Sequence, residues 1–295
     1  MIHVLDLNFL SYEQAIASFL IPSSDGPVLV ESGPYSTYPQ LEKEIRKVGY
    51  RIEDVKHVFL THIHFDHAGA AWAFAKNGAK IYVHPFGAQH LASPQKLYDS
   101  AKMIYGDDMS RLWGAMESIA PSLIHEAQHE EEIKIGERKI TSLHTPGHAK
   151  HHIAWQIEDT LFTGDVAGVK IGNGPVVPPC PPPDINLEDW LSSIELLLSK
   201  NASRFYLTHF GEITQLEVHM SQLRDMLKDW SDFIRVEYEK GVSPEKLTPL
   251  FCAYTKKQLL NLGVSEQGTQ QYEAANPSWM SVAGLIRYWK KKQAI

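Results

Sequence analysis

Short apolar or alternating runs separated by turn residues open the chain. Ile2 to Leu7, Ala15 to Pro22 and Val28 to Glu31 read as strands, with Asp25-Gly26-Pro27 as the turn between the last two. The period then changes. Apolar positions from Tyr38 to Val48 recur at helical spacing and stop near Gly49, which predicts an amphipathic helix. Val55 to Leu60 is a continuous apolar run and predicts a buried strand. A helix is expected over Ala68 to Ala75 and a strand over Lys80 to Val83. Residues 95–120 are helical in period and carry Met103, Tyr105, Met109, Trp113 and Met116, which suit either core packing or one wall of a pocket. Strand patterning returns over 122–162, most clearly at Lys139 to Leu143, Ile153 to Ile157 and Leu161-Phe162. Gly172 to Pro183 is too rich in glycine and proline for a regular element, so a long loop is expected there, semi-rigid from Pro178 to Pro183. Leu187 to Leu198 predicts a helix and Phe205 to Leu207 a strand, with no strand expected beyond it. Helices are then expected over Gln215 to Lys240, from an N-cap at Ser243 with Pro244 at the first helical position to about Leu262, and over Pro277 to Lys292.

Strands and helices alternate without a strict βαβ repeat. That order predicts an α/β core over residues 1–211, with mixed sheets and helices packed outside, and a helical appendage over 212–295. A chain of 295 residues suffices for one large domain with such an appendage. The contents of 43% hydrophobic and 21% charged residues fit a soluble globular protein. A net charge of −7 supplies no global basic field, so neither nucleic acid nor an anionic membrane is the expected partner. The basic run Lys290-Lys291-Lys292 reads as a solvated helix end. Two cysteines, Cys180 and Cys252, are too few for a disulfide framework. No run reaches the length of a membrane span, and Met1 to Asp6 lacks the pattern of a signal peptide, so a cytoplasmic location is expected.

The chemistry concentrates in Thr61-His62-Ile63-His64-Phe65-Asp66-His67, directly after the apolar run at Val55 to Leu60. Alternation places His62 and His64 on one side of an extended segment, and a turn near Phe65 swings Asp66 and His67 to a neighbouring position. That arrangement suits two adjacent metal ions better than one. Imidazole and carboxylate without thiolate favour zinc, iron or manganese. Three more positions follow strands in the same way: His148 in Thr145-Pro146-Gly147-His148, Asp165 in Thr163-Gly164-Asp165, and His209 in Thr208-His209. Ligands at several strand ends of one sheet edge can converge on one cleft.

With these pieces in this order, the chain resembles the metallo-β-lactamase-fold hydrolase superfamily, most closely its hydroxyacylglutathione hydrolase and lactonase branch. The resemblance spans about residues 1–211 and implies an αβ/βα sandwich of two mixed β-sheets flanked by helices. It implies a site of two divalent metal ions, zinc first, with iron or manganese as alternatives. His62, His64 and His148 would hold one ion and Asp66, His67 and His209 the other, with Asp165 bridging. His152 would orient ligands without being one. The implied reaction is attack by a metal-bridging hydroxide on a small ester, thioester or lactone. Asp66 is the expected catalytic residue, orienting the nucleophile and passing a proton to the leaving group. Alternatives on the same fold are an iron-dependent persulfide dioxygenase and a phosphodiesterase or nuclease. The expected partner is a small-molecule substrate, with no nucleic acid and no membrane; a homodimer is open. The loop at Gly174 to Pro183, with Trp113 or Trp190, is a candidate apolar wall for the substrate.

Overall fold

The computed structural model describes residues 1–293, so the last two positions of the expected appendage lie outside the described residues. Two six-stranded sheets form, each in strictly sequential strand order. The first contains β1 (His3–Asp6), β2 (Ala17–Ile21), β3 (Val28–Val30), β4 (His57–Phe59), β5 (Lys80–Val83) and β6 (Ile124–Glu126). The second contains β7 (Glu132–Ile135), β8 (Arg138–His144), β9 (Ile153–Ile157), β10 (Thr160–Gly164), β11 (Arg204–Leu207) and β12 (Gly211–Ile213). Both are mixed. In the first sheet β3 to β6 pair in parallel. In the second only β10 and β11 do.

The sheets pack face to face. Phe19, Val30 and Phe59 of the first sheet share one buried cluster with Ile140, Trp155 and Phe162 of the second. Phe59 meets Trp155 edge to face at 4.9 Å, and the Trp155 indole donates to the Leu60 carbonyl at 2.9 Å. Strand alternation sends the other side chains, such as Leu20 and Leu29, into a second core beneath the helices. Every residue of β2, β3 and β10 is therefore buried, so none of these strands shows the apolar–polar alternation of a half-exposed strand.

Helices α1 (Tyr38–Lys47), α2 (Phe65–Ala68), α3 (Ala71–Lys76), α4 (Pro85–Ala92), α5 (Gln95–Tyr105), α6 (Met109–Leu112) and α7 (Leu187–Leu198) connect strands. The expected long helix over 95–120 is broken: Gly106 turns left-handed at φ 55° and ends α5, a short helix follows, and 114–120 is irregular. After β12 come α8 (Leu216–Glu239), α9 (Pro244–Asn261), α10 (Glu266–Ala275) and α11 (Ser278–Gln293). Trp230 against Phe251 and Phe233 stacked on Tyr254 join α8 to α9. Ser243 is extended just before Pro244, although its hydroxyl makes no cap bond. Contrary to expectation a strand does lie beyond Leu207. It is β12, held by antiparallel pairing with β11. Among the described residues no helix is long and apolar enough to cross a membrane.

Candidate metal centre

β4 ends at Phe59 and an extended segment carries the chain to His64, which precedes the single turn of α2 at φ −63°, ψ 153°. His62 and His64 thus come from extended chain, Asp66 and His67 from a helical turn. From the second sheet, His148 lies in the loop after β8, Asp165 directly follows β10 and His209 stands two residues after β11. All seven residues predicted from the sequence meet at this one edge of the sandwich. Their donor atoms form three overlapping groups, His62–His64–His148, His62–His67–Asp165 and Asp66–His67–His209, each within 4.8 Å.

The first group is three nitrogens. His62 Nε2 lies 2.8 Å and His148 Nε2 3.1 Å from His64 Nδ1. In the other, His67 Nε2 and His209 Nε2 stand 3.6 and 3.5 Å from Asp66 Oδ2. Asp165 faces both: Oδ1 is 3.2 Å from His67 Nε2 and 3.3 Å from His209 Nε2, while Oδ2 is 3.2 Å from His148 Nε2. Among the described residues His67 Nε2 and Asp165 Oδ1 find no aligned hydrogen bond although both are buried, a costly state for atoms with nothing further to bind.

At His62, His67, His148 and His209 the far nitrogen is held by a protein partner. His148 Nδ1 donates to the Pro179 carbonyl at 2.8 Å, so its Nε2 presents a lone pair; His209 Nδ1 donates to the Ala15 carbonyl at 2.7 Å, which leaves Nε2 as the nitrogen that faces the carboxylates and would give up its proton to a metal ion. Thr61 gives its only hydroxyl proton to Glu31 at 2.5 Å and therefore accepts from His62 Nδ1 at 3.0 Å. His67 Nδ1 donates to Glu31 at 2.9 Å. His62 Nε2 and His148 Nε2 thus both turn lone pairs toward His64 Nδ1, whose single proton could serve only one of them, so the other is left for a cation. Together with the orphaned atoms and the nitrogen and oxygen donor set, this fits divalent metal ions.

Electrostatics separate the two sides. Burial, then neighbouring imidazoles, pushes His62 well below its ordinary pKa and His64 down to about 3; His148 is lowered by burial too. These rings are neutral and ready to ligate. At His67 and His209 burial also lowers the pKa, but the carboxylates outweigh it and raise both, His209 to about 9. Burial raises Asp66 and Asp165, yet the imidazoles more than offset it, bringing Asp66 to about 2 and Asp165 well below the usual carboxylate range.

Glu31 was not foreseen. It is fully buried at φ 65° just beyond β3, and its carboxylate gathers Thr61 Oγ1 and N, His67 Nδ1 and Thr208 Oγ1. The available signal was a charged residue ending an apolar strand in Val30-Glu31-Ser32-Gly33. His152 binds the Asp165 backbone N–H through Nε2 at 3.2 Å and Thr145 through Nδ1 at 2.8 Å. It also explains Gly164, at φ 49°, where a Cβ would come within 2.6 Å of that imidazole.

A cleft of about 700 Å³ opens onto His64, Asp66 and Asp165. Leu97, Ile104, Trp113, Trp279 and Met280 give it apolar walls, and Pro179 and Pro181 to Pro183 add to the lining. Trp190 does not belong to the cleft. It is fully buried beside His148, with its indole bonded to the Val166 carbonyl.

A profile of the Metallo-beta-lactamase superfamily matches residues 12–209. A metallo-beta-lactamase fold-containing protein of Sulfurisphaera tokodaii is 29% identical over 178 residues, 58% of this chain and 67% of that protein. The acyl-coenzyme A thioesterase MBLAC2 of Homo sapiens is 30% identical over 116 residues; that match covers 36% of this chain and 39% of the human protein. Among solved structures, an archaeal metallo-beta-lactamase superfamily protein from Sulfolobus tokodaii superposes with a TM-score of 0.70 over 97% of this chain and 98% of its own, at 20% identity, a likeness of fold. The matched span contains all seven clustered residues, and the chain belongs to the metallo-beta-lactamase superfamily.

Proposed function

We propose that this protein is a dinuclear metal-dependent hydrolase of thioesters or esters with an apolar acyl part. The observation that carries the reading is the cleft: apolar walls end on His64 of one donor group, Asp66 of the other and Asp165 between them. His62, His64 and His148 would hold one ion and Asp66, His67 and His209 the other, with Asp165 shared. The opposite-facing oxygens of Asp165 support that division. Bound divalent ions supply a water of lowered pKa and polarise the substrate carbonyl.

The chain's own residues do the rest. The apolar walls take up the acyl group and exclude water from it. Asp66, ionised and open to the cleft, accepts a hydrogen bond from the attacking water and holds its direction. Tyr105 lines the cleft with a hydroxyl that burial and the nearby Asp66 charge push above its ordinary pKa, so it stays protonated and can donate to the substrate. Among the described residues its hydrogen-bond partner is Met280 Sδ, at 3.9 Å. Lys96 and Arg111 on the rim suit a leaving group that carries negative charge, in keeping with the name of the human relative.

The test is metal analysis of the purified protein with a hydrolysis screen of acyl thioesters, lactones, phosphoesters and β-lactams in zinc, manganese and iron forms. Two ions per chain and cleavage of apolar acyl thioesters, both abolished in Asp165→Ala, are expected. One iron per chain with oxygen consumption would replace this reading with the dioxygenase.

A further inference from the structure

We propose that the C-terminal helices set the ligating geometry of His148, acting through the proline-rich loop, so that Asn276, Ser281 and Gly284 are positioning residues for one side of the metal centre. This rests on the reading of His148 as a metal donor.

The loop cannot hold itself. Residues 178–183 read Pro-Pro-Cys-Pro-Pro-Pro, so Cys180 has the segment's single backbone N–H. That N–H leaves the loop and goes to Ser281 Oγ of α11 at 3.3 Å. The carbonyls are caught the same way: Asn276 Nδ2 donates to Pro178 O at 3.2 Å, and Arg287 Nε and Lys291 Nζ donate to Pro183 O at 3.1 and 3.2 Å. Between these ties the two backbones touch. A Cβ on Gly284 would lie 2.0 Å from the Cys180 carbonyl oxygen and 2.9 Å from Pro181 C, so only glycine lets α11 come this close.

The free carbonyl in the middle, Pro179 O, accepts from His148 Nδ1 and thereby fixes both the tautomer and the ring plane. Nothing comparable holds for the other rings. His62 is oriented by Thr61 and His67 by Glu31, both beside strand ends of the first sheet, and His209 by Ala15 in the bend before β2. Among the described residues Asn276, Ser281 and Gly284 meet only the segment that carries the His148 acceptor, so their effect falls on the His62–His64–His148 side. That asymmetry is an internal control.

The experiment compares the full chain with Gly284→Ala, the milder double variant Asn276→Ala/Ser281→Ala, and His148→Ala. Zinc affinity is measured by competition with a chromogenic chelator. Histidine tautomers are read in the metal-free protein by long-range proton–nitrogen NMR, and folding is checked by thermal melting. The loop variants are expected to weaken one of two ions about 10- to 100-fold, the range for loss of a ligand's orienting partner, and to leave the other unchanged. His148 alone should lose its single tautomer. Should Gly284→Ala not fold, the double variant decides. The relay is overturned if folded loop variants bind both ions at full affinity with an unchanged His148 while His148→Ala loses one. If His148→Ala itself retains both ions, the ligand reading beneath the relay fails as well.

Discussion

Replacing Glu31 by glutamine changes one atom and should disarm the His67 side of the site. In the native protein Oε1 accepts from Thr61 Oγ1, His67 Nδ1 and Thr208 Oγ1, and Oε2 accepts from Thr61 N. Every group facing Glu31 is a donor. A glutamine amide offers one acceptor and one donor. With its oxygen at the Oε1 position, the NH₂ confronts the Thr61 N–H. Flipped, it confronts His67 and both threonine hydroxyls. Either way at least one fully buried donor loses its partner, at about 1–3 kcal/mol. In both orientations His67 Nδ1 loses its charge-assisted bond, and in the flipped one it is also released from the tautomer that leaves Nε2 free. Loss of an orienting partner typically weakens metal binding about 10- to 100-fold, or roughly 1.4–2.7 kcal/mol. The assay is chelator competition on Glu31→Gln, with urea unfolding of the metal-free protein alongside. We expect one ion weakened and stability lowered within those ranges. Native metal affinity in a folded Glu31→Gln would refute the argument that this carboxylate orients His67.

Three further predictions follow from separate parts of the molecule. His219 is buried on α8, bonded to the Ala167 carbonyl at 2.8 Å, and burial lowers its pKa to about 4. Protonation therefore favours the unfolded chain: the contribution is complete above pH 6.5 and fades as pH falls toward 4, about 2 kcal/mol being lost at pH 5. A His219→Gln variant unfolded in urea at pH 7 and pH 5 should show correspondingly less acid sensitivity than the native protein, and an equal loss would contradict the assignment. Trp155→Ala empties the centre of the sandwich and strips the Leu60 carbonyl of its donor, so it should cost about 3–5 kcal/mol in denaturant unfolding; a loss under 1 kcal/mol would mean the sheets do not depend on this contact. Tyr105→Phe should lower kcat on acyl thioesters about tenfold with zinc content unchanged, for one neutral donor lost. An unchanged kcat would remove Tyr105 from the reaction.

The donor residues were legible because they are contiguous or follow strands whose apolar runs are unmistakable. His62 to His67 sits on one strand-to-turn transition, and His148, Asp165 and His209 each follow a run ending in threonine or a Thr-containing turn. Glu31 was opaque for the opposite reason. Its partners lie 30, 36 and 177 positions away, and nothing local separates it from any carboxylate at a strand end. Tyr105 faces Met280 across 175 positions. β12 escaped because three residues containing Gly211 and Glu212 give no alternation to detect. The first six residues of α10, Glu266-Gln267-Gly268-Thr269-Gln270-Gln271, carry no apolar side chain to mark a face, although Ser265 caps the helix through the Gly268 N–H. Trp190 shows the limit from the other side: a large aromatic near the site by sequence proved to be packing.

Each donor group draws from both sheets. His62 and His64 come from the first and His148 from the second; Asp66 and His67 come from the first and His209 from the second. Neither half of the chain contains a whole group. An ion held there would be a rivet between halves, and its binding energy would add directly to their adhesion, growing as RT ln(1 + [metal]/Kd). Two fragments cut in the exposed turn near Glu130 should then find one another more tightly when zinc is present.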